Sequence, residues 1–365
     1  MRCGLRAPGR QGICVTLALQ VQDSLPVGTL IDDRYRLVRL LRKGGMGEIY
    51  AAEHIHTHRR VAIKVLREPW SRDPVTRERF KREAQATSQI VHEHIVEMLD
   101  FGVTADGACY LVMELLYGED LQATLLREGR LPLRRAAAII LQICSALAEA
   151  HRHGIIHRDL KPGNCFRTGF RGVQDFIKLV DFGIAKRLPR AAEEQHDSHD
   201  GAALTTEGTI LGTIFYMAPE QSTGGPIDHR IDVYAAGVVL FQLVTGKLPF
   251  RGNTPNDTYR MILTAEVPSA RKLAPEAELP AAIDELFRKA LHKNPDKRFA
   301  SMDELADAVA TVAAQVPKDR PKGESAVLAV QTAAADSRRG LQLVGTVALA
   351  AALVTALAIA LYFGM

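Results

Sequence analysis

The 365-residue sequence has few cysteines, little net charge and no composition bias toward disorder. Its five cysteines, Cys3, Cys14, Cys109, Cys144 and Cys165, are odd in number and include no C-x-x-C spacing. That argues against a disulfide framework or a zinc ribbon and suits a reducing compartment, with the thiols as small buried or surface groups. A formal charge of +4 is too small and too dispersed to indicate nucleic acid as a partner. With 47% hydrophobic and 24% charged residues, the chain has a globular rather than a disordered composition. Its length suits one large two-lobed domain with appendages, or two ordinary domains.

What is present changes character along the chain. Residues 1–29 open with Arg2, Arg6 and Arg10 and a short apolar run from Ile13 to Leu19. The run mimics a secretory signal, but no small-residue cleavage site follows, so a flexible tail or an upstream start to translation is expected. From Tyr35 to Val65, short apolar runs split by glycines or charges predict strands. Tyr35 and Leu37 alternate with Arg34 and Arg36 until Val38 breaks the period. Residues 75–90 predict a helix, with Val75, Phe80, Ala84, Ala86 and Ile90 set among arginines and glutamates, and Leu111-Val112-Met113 predicts a strand. After Gly118 helical patterning dominates, most clearly over Ala136–Ala150. Strands first and helices second is the order of an α+β fold with a small β-rich lobe and a large α-rich one.

Two polar stretches and one apolar stretch complete the layout. Pro189–Ala203 carries Glu193, Glu194, Asp197 and Asp200 with no large apolar residue and predicts a mobile loop. Its His196-Asp197-Ser198-His199-Asp200 string has metal-binding residue types but no rigid element to hold ligands. Residues 313–340 read as a linker. Residues 341–363 then contain no charge at all. At about 1.5 Å per residue such a helix is roughly 34 Å long, enough to cross a hydrocarbon core of about 30 Å. A transmembrane helix is therefore expected at 341–363. Arg338 and Arg339 precede it, so the positive-inside bias predicts that the residues before it face the cytoplasm, with the chain tethered to the cell membrane by its tail.

The densest chemistry lies in His157-Arg158-Asp159-Leu160-Lys161-Pro162-Gly163-Asn164 and in Asp181-Phe182-Gly183. Together they supply two carboxylates, a carboxamide and a lysine. One aspartate can accept the proton of an acceptor hydroxyl, while a second aspartate and an asparagine offer hard oxygen ligands to Mg²⁺. The lysine can follow the charge on a moving phosphoryl group. The H-R-D-L-K-P-x-N and D-F-G strings resemble those of the eukaryotic-type protein kinases. With the G-G-M-G and Y-M-A-P-E-Q wording, the chain is similar to the bacterial, PknB-like serine/threonine protein kinases. The resemblance spans residues 30–312 and implies a bilobal protein kinase domain there, using ATP and Mg²⁺.

Under that resemblance, Leu41, Gly44, Gly45, Gly47 and Ile49 cover the nucleotide, with Leu41 and Ile49 against the adenine. Lys64, in Val61-Ala62-Ile63-Lys64, would pair the α- and β-phosphates, and Glu83 would salt-bridge it, with Glu78 as competitor. Backbone groups of Glu114 and Leu116 would meet the adenine edge. Asp159 would be the base for the acceptor hydroxyl, Lys161 would steady the γ-phosphate, and Asn164 with Asp181 would hold Mg²⁺. His157 reads as a packing residue. Arg158 beside the base matches kinases switched by activation-loop phosphorylation, for which Thr205, Thr206 and Thr209 are candidates and the first two are favoured. Lys161 with Thr213 fits the Ser/Thr branch. Glu220 and Arg298 resemble a buried ion pair, and Asp232 resembles a brace for the catalytic-loop backbone.

One residue departs from the pattern. The family's G-x-G-x-x-G wants glycine at position 42, where this chain has Arg42. That side chain could crowd the loop, point outward or reach toward a phosphate, and nucleotide binding is expected to survive it. The expected function is thus a membrane-tethered serine/threonine protein kinase with protein substrates, the lipid bilayer as a second partner and no nucleic acid. A pseudokinase scaffold at the membrane is the alternative, and only Arg42 speaks for it. A small-molecule phosphotransferase is disfavoured by the Y-M-A-P-E element and the long activation segment. A homodimer is compatible with the family, and the residues themselves do not specify one.

Overall fold

The structure is a computed structural model, and it describes residues 24–44, 47–66, 78, 81, 84–85, 87–170, 172–182 and 214–317. The chain divides after Val312 into two units, and the fold is that of the first. Six strands form its small lobe: β1 (Leu30–Ile31), β2 (Tyr35–Gly44), β3 (Gly47–His54), β4 (Arg60–Leu66), β5 (Met98–Val103) and β6 (Cys109–Glu114). They make one antiparallel sheet in the order β1-β2-β3-β4-β6-β5. One face buries Tyr35, Leu37, Tyr50, Ile63, Tyr110 and Val112 in a common cluster. Residues of opposite phase, among them the cross-strand partners Arg42, Ile49 and Lys64, share the other face.

The break in alternation at Val38 has a structural cause. The pairing of β2 with β3 shifts between Leu37 and Arg39, and again between Leu40 and Arg42. Each shift inserts one extra residue into β2, which bends the strand and re-aims the side chains that follow. Val38 is accordingly 49% exposed in a strand whose neighbours Tyr35 and Leu37 are buried. Of the helix expected over 75–90, residues 78, 81, 84, 85, 87 and 88 are described and helical, and Ala84 packs with Leu66, Cys109 and Leu111.

The large lobe contains α1 (Leu121–Glu128), α2 (Leu133–Arg152), α3 (Pro219–Thr223), α4 (Arg230–Thr245), α5 (Pro255–Thr264), α6 (Ala270–Leu273), α7 (Ala282–Ala290) and α8 (Met302–Ala314). Helix α4 is buried from Ile231 through Phe241 and apolar on nearly every face, which marks it as the core of this lobe. At Gly237 a Cβ would stand 2.9 Å from the Ala290 Cβ, so glycine lets α4 and α7 approach closely.

Helical patterning after Gly118 misses a second sheet, formed by β7 (Gly118–Asp120), β8 (Cys165–Phe170) and β9 (Val173–Leu179). Its strands are tied by charges as much as by apolar alternation. Arg167 donates to Asp175 at 3.0 Å and Glu119 at 2.7 Å, and Arg135 of α2 donates to Asp175 at 2.6 Å. The β8–β9 pairing brings Cys165 opposite Leu179, and Val180 N–H donates to the Asn164 carbonyl at 3.0 Å. Asn164 and Asp181 are thereby held side by side at the ends of the two strands.

No helix among the described residues is long and apolar enough to cross a membrane. Residues 341–363, residues 1–23 of the stretch 1–29 expected as a tail, residues 318–340 of the expected linker and residues 189–203 of the expected loop lie outside the described residues.

Arg298 closes the lower part of the lobe. Its guanidinium donates to both carboxylate oxygens of Glu220, at 2.6 and 2.7 Å, and to the carbonyls of His292, Arg230 and Lys293. All five N–H donors of the fork are thus used, and the Arg298 side chain is fully buried. Arg298→Ala strands a buried carboxylate, and the expected loss is on the order of 3–5 kcal/mol. It would be read as a lower urea midpoint at unchanged slope. Arg298→Lys, with three donors, should recover only part. A loss under about 1 kcal/mol for Arg298→Ala would show that the pair does not support the lobe.

Candidate active site

Between the lobes the chain gathers charges from several elements. On the large-lobe side, Asp159 follows Arg158, whose backbone is left-handed at φ +62°. Arg158 N–H and His157 N–H donate to the carboxylate of Asp232 in the first turn of α4, at 3.0 and 2.8 Å. His151, near the end of α2, sits 2.8 Å from the same carboxylate through Nε2 and must donate, because a carboxylate only accepts. Three donors therefore fix one buried acid, and through it the loop that carries Asp159.

Asp159 is the hub of the next set. Lys161 Nζ donates to Asp159 Oδ2 at 3.0 Å. Asn164 Nδ2 donates to the Asp159 carbonyl at 2.7 Å and to Oδ2 at 3.1 Å. With its N–H groups committed in this way, Asn164 has Oδ1 to offer a metal. His157 is buried, and its ring packs on Phe182 with centroids 4.6 Å apart. Nε2 lies 3.2 Å from the Val180 carbonyl, and Nδ1 accepts from Asp159 N–H at 3.3 Å. One nitrogen donating and one accepting is the neutral tautomer, and burial pushes its pKa down in agreement. His157 is a structural support for the loop.

The small lobe supplies the opposing cation. Lys64 Nζ lies 2.6 Å from Asp181 Oδ1, with the side chains 18% and 28% exposed. Burial alone would raise the pKa of Asp181, but the Lys64 ammonium, as charge and as donor, and then the charge of Arg42 outweigh it. The carboxyl is held below its ordinary range and stays ionised. Like Arg158, Asp181 has a left-handed backbone, at φ +56°. Ile49, the cross-strand partner of Lys64, shares its face, and Leu41 is 36% exposed at the second bulge of β2. At Gly47 a Cβ would lie 2.4 Å from the Val65 carbonyl, so sheet packing alone demands glycine there. Gly44 carries no such demand: its nearest Cβ contact would be an ordinary 3.5 Å.

At the junction of the lobes, Glu114 N–H donates to the Glu97 carbonyl at 3.0 Å. Of the Glu114 backbone groups only the carbonyl could serve a ligand. Its side chain accepts from Lys178 Nζ at 2.6 Å, and Leu116 follows partly buried. Gly45, Glu83, Thr205, Thr206, Thr209 and Thr213 lie outside the described residues, and Glu78 is exposed. Glu220 and Arg298 pair in the large lobe and do not join the cleft set. Sequence reasoning missed His151 and Asp120, because neither belongs to a recognisable string; only the return of α4 beneath the loop brings His151 to Asp232.

The donor set fits magnesium delivered with a phosphate ligand. Asp181 and Asn164 offer hard oxygens from adjacent strand ends, and Mg²⁺ ordinarily keeps waters and substrate oxygens in its remaining positions. Among the described residues no group of three or more His, Cys, Asp or Glu stands ready to hold a metal alone. The arrangement can bind a polyphosphate between Lys64 and the Asp181–Asn164 pair and offer a carboxylate base beside it.

Comparisons with known proteins agree with this geometry. A family profile described as protein kinase domain matches residues 35–309. The chain is 41% identical over 300 residues to serine/threonine-protein kinase pkn3 of Myxococcus xanthus, covering 82% of this chain and 53% of that protein. It is 40% identical over 301 residues to serine/threonine-protein kinase PknA of Mycobacterium tuberculosis, covering 81% of this chain and 65% of that one. The chain thus spans between half and two thirds of the length of these relatives. The crystal structure of the M. tuberculosis PknI kinase domain matches with a TM-score of 0.61 at 29% identity, over 80% of this chain and 100% of that one.

Proposed function

The chain belongs to the protein kinase family, and we propose that it is a serine/threonine protein kinase moving the γ-phosphate of ATP onto hydroxyls of protein substrates. The observation that carries this reading is the pairing of Lys64 from the small lobe with Asp181 of the large lobe, beside the Asp159–Lys161–Asn164 set. Asp159 orients the acceptor hydroxyl and takes its proton as the oxygen attacks. Lys161, 3.0 Å from Asp159 Oδ2, steadies the γ-phosphate. Lys64 would hold the α- and β-phosphates, and Glu83 would be its carboxylate partner. Asp181 and Asn164 would hold Mg²⁺, which supplies charge neutralisation along the phosphates. Leu41, Gly44, Gly45, Gly47 and Ile49 cover the nucleotide, while the Glu114 carbonyl and the Leu116 backbone meet the adenine edge. Serine and threonine as acceptors are supported by Lys161 and by the names of the relatives.

Regulation through Thr205 or Thr206 is part of the same reading. A phosphate there adds about −2 of charge, and Arg158 beside the base is a cation suited to receive it. Tethering to the cell membrane, with the kinase domain on the cytoplasmic side, is supported by the uncharged stretch 341–363 and by Arg338 and Arg339 before it.

Radiolabelled ATP and a generic protein acceptor test the activity. The acceptor should become labelled, and Asp159→Asn should slow labelling by roughly 10²–10⁴-fold while Mg-ADP binding persists. Full labelling by that variant would remove Asp159 from the base role. Binding without labelling in the unmodified chain would favour the scaffold. Mass spectrometry after incubation with ATP should find phosphate on Thr205 or Thr206, and full activity without phosphate there would rule out the switch. On alkaline carbonate extraction of expressing cells, the full chain should stay in the membrane pellet and a chain cut before residue 341 should be released. Release of both would end the tether.

A further inference from the structure

Arg42 is a long cation in a glycine-bearing hairpin, two residues before Gly44, and its direction is specific. It pairs with Ile49 just after the second bulge of β2, on the face that also carries Lys64. From there its side chain leaves the small lobe. Nη1 stands 3.4 Å from the Gly163 carbonyl and 4.0 Å from Asp120 Oδ2. These acceptors belong to two separate elements of the large lobe. Gly163 lies in the turn Pro162–Asn164, between Lys161 and Asn164, and Asp120 ends β7 and caps α1 by accepting Ala123 N–H at 2.8 Å. The guanidinium therefore spans from the roof of the cleft to its floor, beside the place where phosphates would lie. Its side chain is 56% exposed, so each contact alone is weak. Nη1 carries two N–H donors, so this one nitrogen can serve both acceptors at once.

We propose that Arg42 is a positioning residue, an interlobe strap whose guanidinium bridges the Gly163 carbonyl and the Asp120 carboxylate and sets how closely the glycine hairpin closes over the nucleotide phosphates. The inference rests on the nucleotide-binding part of the proposed function. A hairpin without such a cation is drawn down by the ligand alone. Here the chain supplies part of the closure before the ligand arrives, which lowers the ordering cost that binding must overcome. A bridge of this kind predicts that the contributions of Arg42 and Asp120 are not independent. A guanidinium that merely touched a phosphate would act without Asp120, and one that crowded the site would weaken binding by being present.

Asp120→Asn is a clean partner variant, because asparagine is as good a helix cap as aspartate and only the charge is lost. Arg42→Gln keeps the stem and removes the cation. Mg-ADP binding to the full chain, measured by titration calorimetry, is compared for the unmodified protein, each single variant and the double variant. Each single change should weaken binding by roughly threefold to tenfold, the size of coupling between contacting groups. The double variant should bind no more weakly than the weaker single. In steady state KM for ATP should rise with kcat held or increased, and Arg42→Lys should restore part of the affinity. Independent effects that multiply in the double variant would overturn the strap, as would tighter binding by Arg42→Gln. If the unmodified chain binds no Mg-ADP, the phosphotransfer reading itself fails and the strap falls with it.

Discussion

Asp232, in the first turn of a largely apolar helix, accepts hydrogen bonds from the backbone of His157 and Arg158 and from His151. It is 1% exposed, so its charge must be balanced locally. Three donors and the positive end of the α4 dipole do this. The dependence also runs the other way. Two backbone N–H groups buried against an apolar helix have no second acceptor at hand, and each left unpaired would cost about 1–3 kcal/mol. The left-handed conformation of Arg158 is a strained one for a non-glycine residue, and such strain persists where its surroundings over-determine it. Asp232 on the Arg158 N–H and Gln221 on its carbonyl, at 3.4 Å, are those surroundings. Remove the acid, and the turn that presents Asp159, Lys161 and Asn164 loses the reason for its shape.

Floor and roof are built by different physics. The floor is set by full hydrogen-bond satisfaction inside a packed helical lobe, with β8 and β9 delivering Asn164 and Asp181 from adjacent strand ends. The roof is a twisted antiparallel hairpin bent by two bulges, with one buried aromatic face and one face turned to the cleft. Few apolar contacts hold the hairpin tip: Leu40, Leu41, Arg42 and Lys43 are all exposed. A roof of this kind moves at small cost while the floor does not, and contacts between the two, such as those of Arg42 and Lys64, decide their spacing.

Much of this was legible in the sequence because phosphoryl transfer needs few residue types in fixed order. The H-R-D-L-K-P-x-N and D-F-G strings identify Asp159, Lys161, Asn164 and Asp181, and the fold brings all four into one cleft. The α+β order was legible from the change of periodicity near Gly118. What could not be read has physical causes. Val38 breaks the alternation because a bulge inserts it, and a bulge has no side-chain signature of its own. The β7–β9 sheet is stitched by Arg167, Arg135, Glu119 and Asp175, so the apolar alternation that announces a strand is diluted. His151 reaches Asp232 only through the packing of α2 on α4. For Arg42 the sequence left three directions open, and the choice among them depends on how far the bulges turn the strand.

The pairing of Lys64 with Asp181 follows the same logic of charges kept in partnership. In a half-buried cleft a lone ammonium or carboxylate would be costly, and the two neutralise each other at 2.6 Å. On the proposed chemistry, neither charge would be stranded when a metal nucleotide binds: Lys64 would pair with phosphate oxygens and Asp181 would hold Mg²⁺. The ion pair is therefore less a source of stability than a way of holding two reactive charges in register, since the cost of taking both charges out of water offsets much of their attraction. That makes the cleft tolerant of both loaded and empty states. It also explains why the strong anchoring lies elsewhere, in Asp232 under the loop and in Glu220–Arg298 at the base, where no ligand ever needs to displace a partner.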